Sequence, residues 1–194
     1  MEKIAIDIVL FPPDDIRDKI IAINQGFIAS HNNDIILNKK DKLPHITLAM
    51  GCIASKNLQQ INDILKRSVQ KWTSTKLRTL CSYKDMAWLK VEDQDSLRQF
   101  HDHIMDVAEP FFMFKAEGSM FYPEKDGSIN KTTVDYVNNF KTCSSKENYE
   151  PHITIGHGIT AQNFESFEFY PVSVAVCHLG NFCTCRRVLF EVIL

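Results

Sequence analysis

Two five-residue stretches constrain this chain more than any other feature: Pro44-His45-Ile46-Thr47-Leu48 and Pro151-His152-Ile153-Thr154-Ile155. Both carry adjacent β-branched Ile and Thr followed by an aliphatic residue, so each reads as a strand that starts just after its proline. In a strand, residues i and i+2 point to the same side, and each residue rises about 3.3 Å. His45 and Thr47 therefore share one face, with Ile46 and Leu48 on the other. His152 and Thr154 repeat the arrangement against Ile153 and Ile155. The aliphatic sides belong in a core, which turns both His-x-Thr pairs toward a cleft or toward solvent.

The surroundings of the two stretches repeat in order as well. "KIAIDIVLF" reads as a strand stopped by Pro12 and Pro13. A helix follows, with Asp14 and Asp15 at its positive end, Ile16, Ile20 and Ile23 on one face, and Gly26 as the expected stop. The first His-x-Thr strand comes next, and then an amphipathic helix from Ser55 carrying Leu58, Ile61, Leu65 and Val69 inward. The second round opens with a strand pair, "KLRTLCSY" and "MAWLKV", turning at Lys84-Asp85. Its helix carries Leu97, Phe100, Ile104 and Ala108 and ends near Pro110. A polar stretch with a short helix at "NKTTVDYVNNF" leads to the second His-x-Thr strand, and two strands around Gly180-Asn181 close the chain. The order of elements implies a degenerate internal duplication whose second copy is longer, with the added residues within 114–148. The expected organisation is one bilobal domain over 1–194, with a first lobe around 1–75 and a second around 76–194, strands being exchangeable between them.

Gross composition narrows the class. The 194 residues are 44% hydrophobic and 24% charged, as in ordinary soluble globular proteins. A net charge of −2 argues against a dedicated binder of long duplex nucleic acid, which usually carries a basic stripe. The N-terminal apolar run is broken by Asp7 and stopped by Pro12, so it reads as neither a signal peptide nor a membrane span. Six cysteines without a secretory signal point to reduced thiols and a cytoplasmic location.

If the two lobes face each other, their strands offer two imidazoles and two hydroxyls to one site. That set suits phosphodiester hydrolysis without a metal. A neutral ring takes a proton from water while a protonated ring gives one to the leaving oxygen, and histidine's ordinary pKa makes both forms accessible near neutrality. The threonine hydroxyls would hold the non-bridging oxygens, where charge grows in the transition state.

The paired P-H-I-T-[LI] strands resemble the signature of the two-histidine (2H) phosphoesterase superfamily, which includes the 2′-5′ RNA ligases and RNA 2′,3′-cyclic phosphodiesterases. The resemblance implies an α+β fold of two pseudo-symmetric lobes, with antiparallel sheets lining a central groove and helices outside. It implies catalytic roles for His45 (acid) and His152 (base), and phosphate-binding roles for Thr47 and Thr154. It also implies that a cyclic phosphate is opened to a 2′-phosphate. His157 stands where the cyclic phosphodiesterase branch often has arginine, and is carried as a candidate substrate contact. Tyr149, just ahead of the second motif, is either a stacking platform for a base or a packing residue.

Other features receive plainer readings. Cys177, His178, Cys183 and Cys185 invite a zinc site, but the spacing lacks a C-x₂-C knuckle, and small buried hydrophobes are the better account. Trp72 and Trp88 read as core. His101 and His103, two apart on a helix, diverge and read as solvated. Lys39, Lys40 and Lys42 read as a solvated hairpin. Arg186 and Arg187 alternate along a strand, so at most one faces the groove. The expected protein is a monomeric phosphoesterase with no cofactor and no metal. Its expected substrate is a nucleotide or short oligonucleotide, first a 2′,3′-cyclic phosphate. The alternatives are cleavage of 2′-5′-linked or cyclic oligonucleotide signals, and a nucleotide-binding module without turnover.

Overall fold

The structure, a computed structural model, describes residues 2–30, 34–83, 87–124, 127–156 and 164–194. The expected turn at Lys84-Asp85, His31 and the candidate contact His157 lie outside the described residues.

Strand β1 (Lys3–Phe11) matches the first predicted strand, and Pro12-Pro13 end it by withholding backbone donors. Helix α1 (Asp14–Ser30) runs past the expected stop at Gly26. Gly26 meets no atom within 4 Å of a built Cβ, and Phe27, one residue later, is fully buried. Core packing of Phe27 carries the helix through the glycine. Strand β2 (Ile46–Ala54) holds the first motif, and α2 (Leu58–Val69) buries Ile61, Leu65 and Val69. Strands β3 (Leu77–Tyr83) and β4 (Ala87–Val91) form the predicted pair. Helix α3 (Asp95–Ala108) buries Leu97, Phe100, Ile104 and Ala108 as their spacing requires. Helix α4 (Lys131–Cys143) is capped by Asn130, whose Oδ1 accepts from the Thr133 amide at 2.7 Å. The remaining strands are β5 (His152–Thr154), β6 (Glu168–Phe169), β7 (Ser173–Leu179) and β8 (Cys185–Ile193).

Among the described residues the strands make two antiparallel sheets of four, in the orders β2-β1-β7-β8 and β5-β4-β3-β6. Each sheet carries one His-x-Thr motif on an edge strand. The last two strands follow the second motif in sequence, yet they complete the sheet of the first. Ile46, Leu48, Ile153 and Ile155 are fully buried. Burying such side chains is worth about 1.5–3 kcal/mol each, and a one-residue slip would expose them all. That term sets which face the His and Thr residues take.

Both faces of the β1 sheet are covered. Ile6, Ile8 and Leu10 enter the main core, while Val9 and Phe11 join a second cluster with Leu43, Ala175, Cys177 and Cys185. Buried Asn24 on α1 ties the two halves together. Its Nδ2 donates to the carbonyls of Ile35 and Ile155, both at 2.7 Å, and its Oδ1 accepts from the Leu37 amide at 2.8 Å.

Candidate active site

The two edge strands bring both motifs to one groove. A single pocket is lined by His45, Thr47, His152 and Thr154 together with Trp88, Thr133 and Tyr136. It continues into a second hollow of about 370 Å³ that shares Thr47, Trp88, Tyr136 and His152 and adds Phe140 and Ser144. The four motif residues are partly exposed, as their alternation with buried aliphatics demands.

The histidines are held in matching ways. His45 Nδ1 lies 2.7 Å from the carbonyl of Leu43, and His152 Nδ1 lies 2.7 Å from the carbonyl of Glu150. A carbonyl only accepts, so each Nδ1 must carry the proton and donate it. In its neutral form each ring presents Nε2 as its lone-pair nitrogen. The same i−2 bond recurs on both strands. His152 also stacks on Trp88, with ring centroids 4.0 Å apart and planes 16° apart. Burial pushes the His152 ring down to about 4, against the opposing pull of the Glu150 carbonyl; nearby His45 and Lys90 depress it further. His152 is therefore neutral at pH 7.

His45 has a different neighbour. Its Nε2 lies 3.5 Å from Oδ2 of Asp7, a side chain with no exposed surface on β1. The same oxygen accepts from the Thr47 hydroxyl at 2.8 Å. Oδ1 of Asp7 is buried and has no hydrogen-bond partner among the described residues. Asp7 stands in line with Val9 and Phe11, so its carboxylate enters the second apolar cluster. Burial raises its pKa, while the hydrogen bonds from His45 and Thr47 and the His45 charge pull the other way.

A β-bulge shapes the first motif. Ile8 pairs with Ala49 and Val9 with Thr47, so Leu48 is the extra residue. The Thr47 carbonyl accepts from the Tyr149 hydroxyl at 3.0 Å, and the Leu48 carbonyl from His101 Nδ1 at 2.6 Å. Those two rings stack face to face, with centroids 3.7 Å apart. The bulge's carbonyls are thus satisfied by one aromatic pair from the other half of the chain.

Comparison with known proteins gives this fold a family. The family model described as "2′-5′ RNA ligase superfamily" matches residues 12–180. The chain belongs to this superfamily. No curated protein matches its sequence. Among solved structures, TT0787 of Thermus thermophilus aligns over 98% of both chains at 10% identity, with a TM-score of 0.62. Apo LigT of E. coli aligns over 100% of this chain and 99% of its own at 14% identity, with a TM-score of 0.57. LigT has also been solved with 3′-AMP, at a TM-score of 0.54. The mixed α+β architecture, with two antiparallel four-stranded sheets and four α-helices among the described residues, is the LigT-like 2H phosphoesterase fold.

In this 2H phosphoesterase-type member, several sequence readings need correction. His101 is not solvated: it is fully buried, and its Nε2 accepts from the Lys146 amide at 2.9 Å. Helix geometry separated it from His103 as expected, but it faces the bulge rather than water. Tyr149 resolves toward packing: it is 4% exposed, His101 covers one face, and its hydroxyl is engaged. It still borders the groove wall. Trp88, read as core, instead stacks on His152 and lines both hollows. Arg186 is held over Tyr122 with Asp41 and Glu124 close to its guanidinium. The C-terminal Cys/His set does not converge on one point. Cys177 is in the apolar cluster, while His178 Nε2 bonds the Met120 carbonyl at 3.0 Å. Asp7 was visible in the sequence only as an acidic residue interrupting an apolar strand, and that was its signal. The stretch 114–148 contributes the groove wall through α4, with Thr133, Tyr136 and Phe140 facing the hollows.

Among the described residues, no helix is long and apolar enough to cross a membrane.

Proposed function

We propose that this protein hydrolyses a 2′,3′-cyclic phosphate on a nucleotide or short RNA end by paired-histidine catalysis that needs no metal. The observation that carries the reading is the matched pair of histidines on one groove, each with Nδ1 tied to a carbonyl and Nε2 left for proton transfer. His152, neutral at pH 7, removes the proton from an attacking water. The water oxygen bonds to phosphorus, the bond to the 3′ oxygen breaks, and His45 protonates that oxygen, leaving a 2′-phosphate. His45 takes the acid role by elimination, and the Asp7 carboxylate beside it stands as the countercharge for an imidazolium. Thr47 and Thr154 hold the non-bridging oxygens. Thr47 donates to Asp7, so that carboxylate orients the hydroxyl and the ring together.

Ligand size supports a nucleotide-scale substrate. The hollow beside His152 is about 370 Å³, within the usual range for small-molecule sites, and Trp88, Tyr136 and Phe140 give it aromatic walls. The solved structures of LigT with 3′-AMP and with ATP are consistent with such a ligand.

The test is turnover of 2′,3′-cyclic nucleotides in excess EDTA, with products separated by mass and with His45→Ala and His152→Ala in parallel. A 2′-phosphate product that disappears in both variants is the expected result. Activity that survives loss of either ring would overturn the assignment. Cleavage confined to 2′-5′-linked or cyclic oligonucleotides would move the substrate, and tight nucleotide binding without any turnover would make the protein a binding module.

A further inference from the structure

Three groups that no part of the hydrolysis requires as a set meet at the back of the groove. A carboxylate oxygen of Asp7, a ring nitrogen of His45 and the thiol sulfur of Cys185 all lie within 4.8 Å of one another. Among the described residues this is the one cluster of three or more His, Cys, Asp or Glu side chains close enough to hold an ion. It comes from three separated parts of the chain: β1, the residue before β2, and the start of β8. The isolated bridge between Leu43 and Cys185 brings the last two together.

The donors match a particular class of cation. One imidazole nitrogen, one thiolate and one carboxylate suit Zn²⁺ and its softer congener Cd²⁺, rather than Mg²⁺ or Ca²⁺, which take oxygen ligands. Zinc–ligand bonds of about 2.0–2.3 Å put tetrahedral ligand atoms roughly 3.3–3.8 Å apart. His45 Nε2 and Asp7 Oδ2 are already 3.5 Å apart, and the sulfur, within 4.8 Å of both residues' ligand atoms, lies at most about 1 Å beyond that range. The side that lines the pocket, beside Cys183 and Thr184, leaves room for a fourth ligand.

A second, independent observation points to a cation. Asp7 is fully buried in apolar surroundings, and its Oδ1 has no hydrogen-bond partner among the described residues. A buried carboxylate with an unsatisfied oxygen is costly to keep charged, and a divalent ion beside it relieves that cost.

We propose that Asp7, His45 and Cys185 form a binding site for a thiophilic divalent cation, Zn²⁺ or Cd²⁺, whose occupancy switches off the groove. Binding releases the Cys185 thiol proton to solvent and makes three bonds to the metal: from the Asp7 carboxylate, the Cys185 thiolate and the lone pair of His45 Nε2. His45 then has no nitrogen left for proton transfer, because Nδ1 is engaged with the Leu43 carbonyl. The ion is therefore an inhibitor of a metal-independent reaction. The inhibitory half rests on the hydrolytic reading above, but the binding half does not.

The experiment titrates the full chain with Cd²⁺ and follows the ultraviolet thiolate-to-cadmium charge-transfer band, with Cys177→Ser, Cys185→Ser and Cys185→Ala alongside. One equivalent should produce the band in the parent and in Cys177→Ser. The band should vanish in both Cys185 variants, of which the alanine form keeps the pocket apolar. A band that survives loss of Cys185, or no band in the parent, overturns the site whatever the enzyme turns over. In the second arm, Zn²⁺ should inhibit turnover reversibly, EDTA should restore it, and the inhibitory concentration should rise at least 10-fold in Cys185→Ala at unchanged basal rate. A charge-transfer band with no inhibition would overturn the switch alone. A chain inactive on every phosphodiester would count against the hydrolytic reading while the spectroscopic arm still decides the site.

Discussion

The hydroxyl of Tyr149 donates to the carbonyl oxygen of Thr47 at 3.0 Å, joining residues 102 positions apart in the chain. The bond links the approach to the second motif with the bulge inside the first, so this part-buried hydrogen bond helps to register the two His-x-Thr strands. Tyr149→Phe keeps the stack on His101 and removes only this link. A bond of this kind is worth about 1 kcal/mol. Denaturant unfolding should show that loss, and kcat should fall several-fold with KM little changed. A KM effect with intact kcat would mean that Tyr149 contacts substrate instead.

If His45 and His152 are the acid and base proposed above, loss of either ring should be severe and non-additive. Each proton transfer is typically worth about 10²–10⁴ in rate, so His45→Ala and His152→Ala should each lower kcat within that range in EDTA. The double variant should be little worse than the poorer single one, because the rings act in a single step. Multiplicative losses would show that they work independently.

The pH profile should report the partly buried, ring-stacked environment of His152. Its ring is pushed down to about 4, so the acid limb of kcat/KM should fall near that value rather than near histidine's ordinary 6.5. Trp88→Leu opens the stacked face to water and should move the limb upward. A limb near 6.5 in the parent enzyme would assign the base to another group.

His101 makes a separate claim on stability. Its Nδ1 donates to Leu48 and its Nε2 accepts from the Lys146 amide, so only the neutral ring satisfies both bonds. Burial lowers its pKa to about 4, against roughly 6.5 in the unfolded chain. Between these values the unfolded chain binds a proton that the native chain does not, so stability falls as pH falls through the window. The term reaches about 3 kcal/mol below pH 4. His101→Gln should make the dependence of unfolding free energy on pH between 4 and 6.5 less steep, with the contribution of His152 remaining. An unchanged slope would refute the neutral-ring account.

Asp7 should separate function from stability. Its folded pKa is raised, chiefly by burial, so holding it ionised at neutral pH opposes folding, and the penalty grows as pH rises through the raised value. Asp7→Asn should therefore leave the melting temperature unchanged or higher at pH 7. It should still lower kcat, because His45 and Thr47 lose their shared, negatively charged hydrogen-bond acceptor. A fall in both melting temperature and kcat would make Asp7 merely structural.

Much of this architecture was written in local pattern. Alternation fixed which way His45, Thr47, His152 and Thr154 would face, because exposing Ile46, Leu48, Ile153 and Ile155 is too costly. Periodicity likewise gave α2 and α3, with their buried faces as observed. Where reading failed, a distant contact outweighed a local preference. Gly26 signals a helix end, yet Phe27 carries α1 onward into the core. Two histidines two apart on a helix must diverge, but divergence did not say that His101 would meet the carbonyl of Leu48. Trp88 looked like core because nothing local to it showed that His152 would lie across its face.

The amino-acid order alone therefore determined the two His-x-Thr strands, the faces of their side chains and the pair of histidines we propose as proton carriers. These follow from backbone geometry and apolar burial acting over a few residues. Only the tertiary structure decided that Asp7 would lie beside His45, that Cys185 would return to the same corner, and that His152 would be desolvated on Trp88. Those relations join residues far apart in the chain, and the electrostatics of a buried group depend on what surrounds it in space.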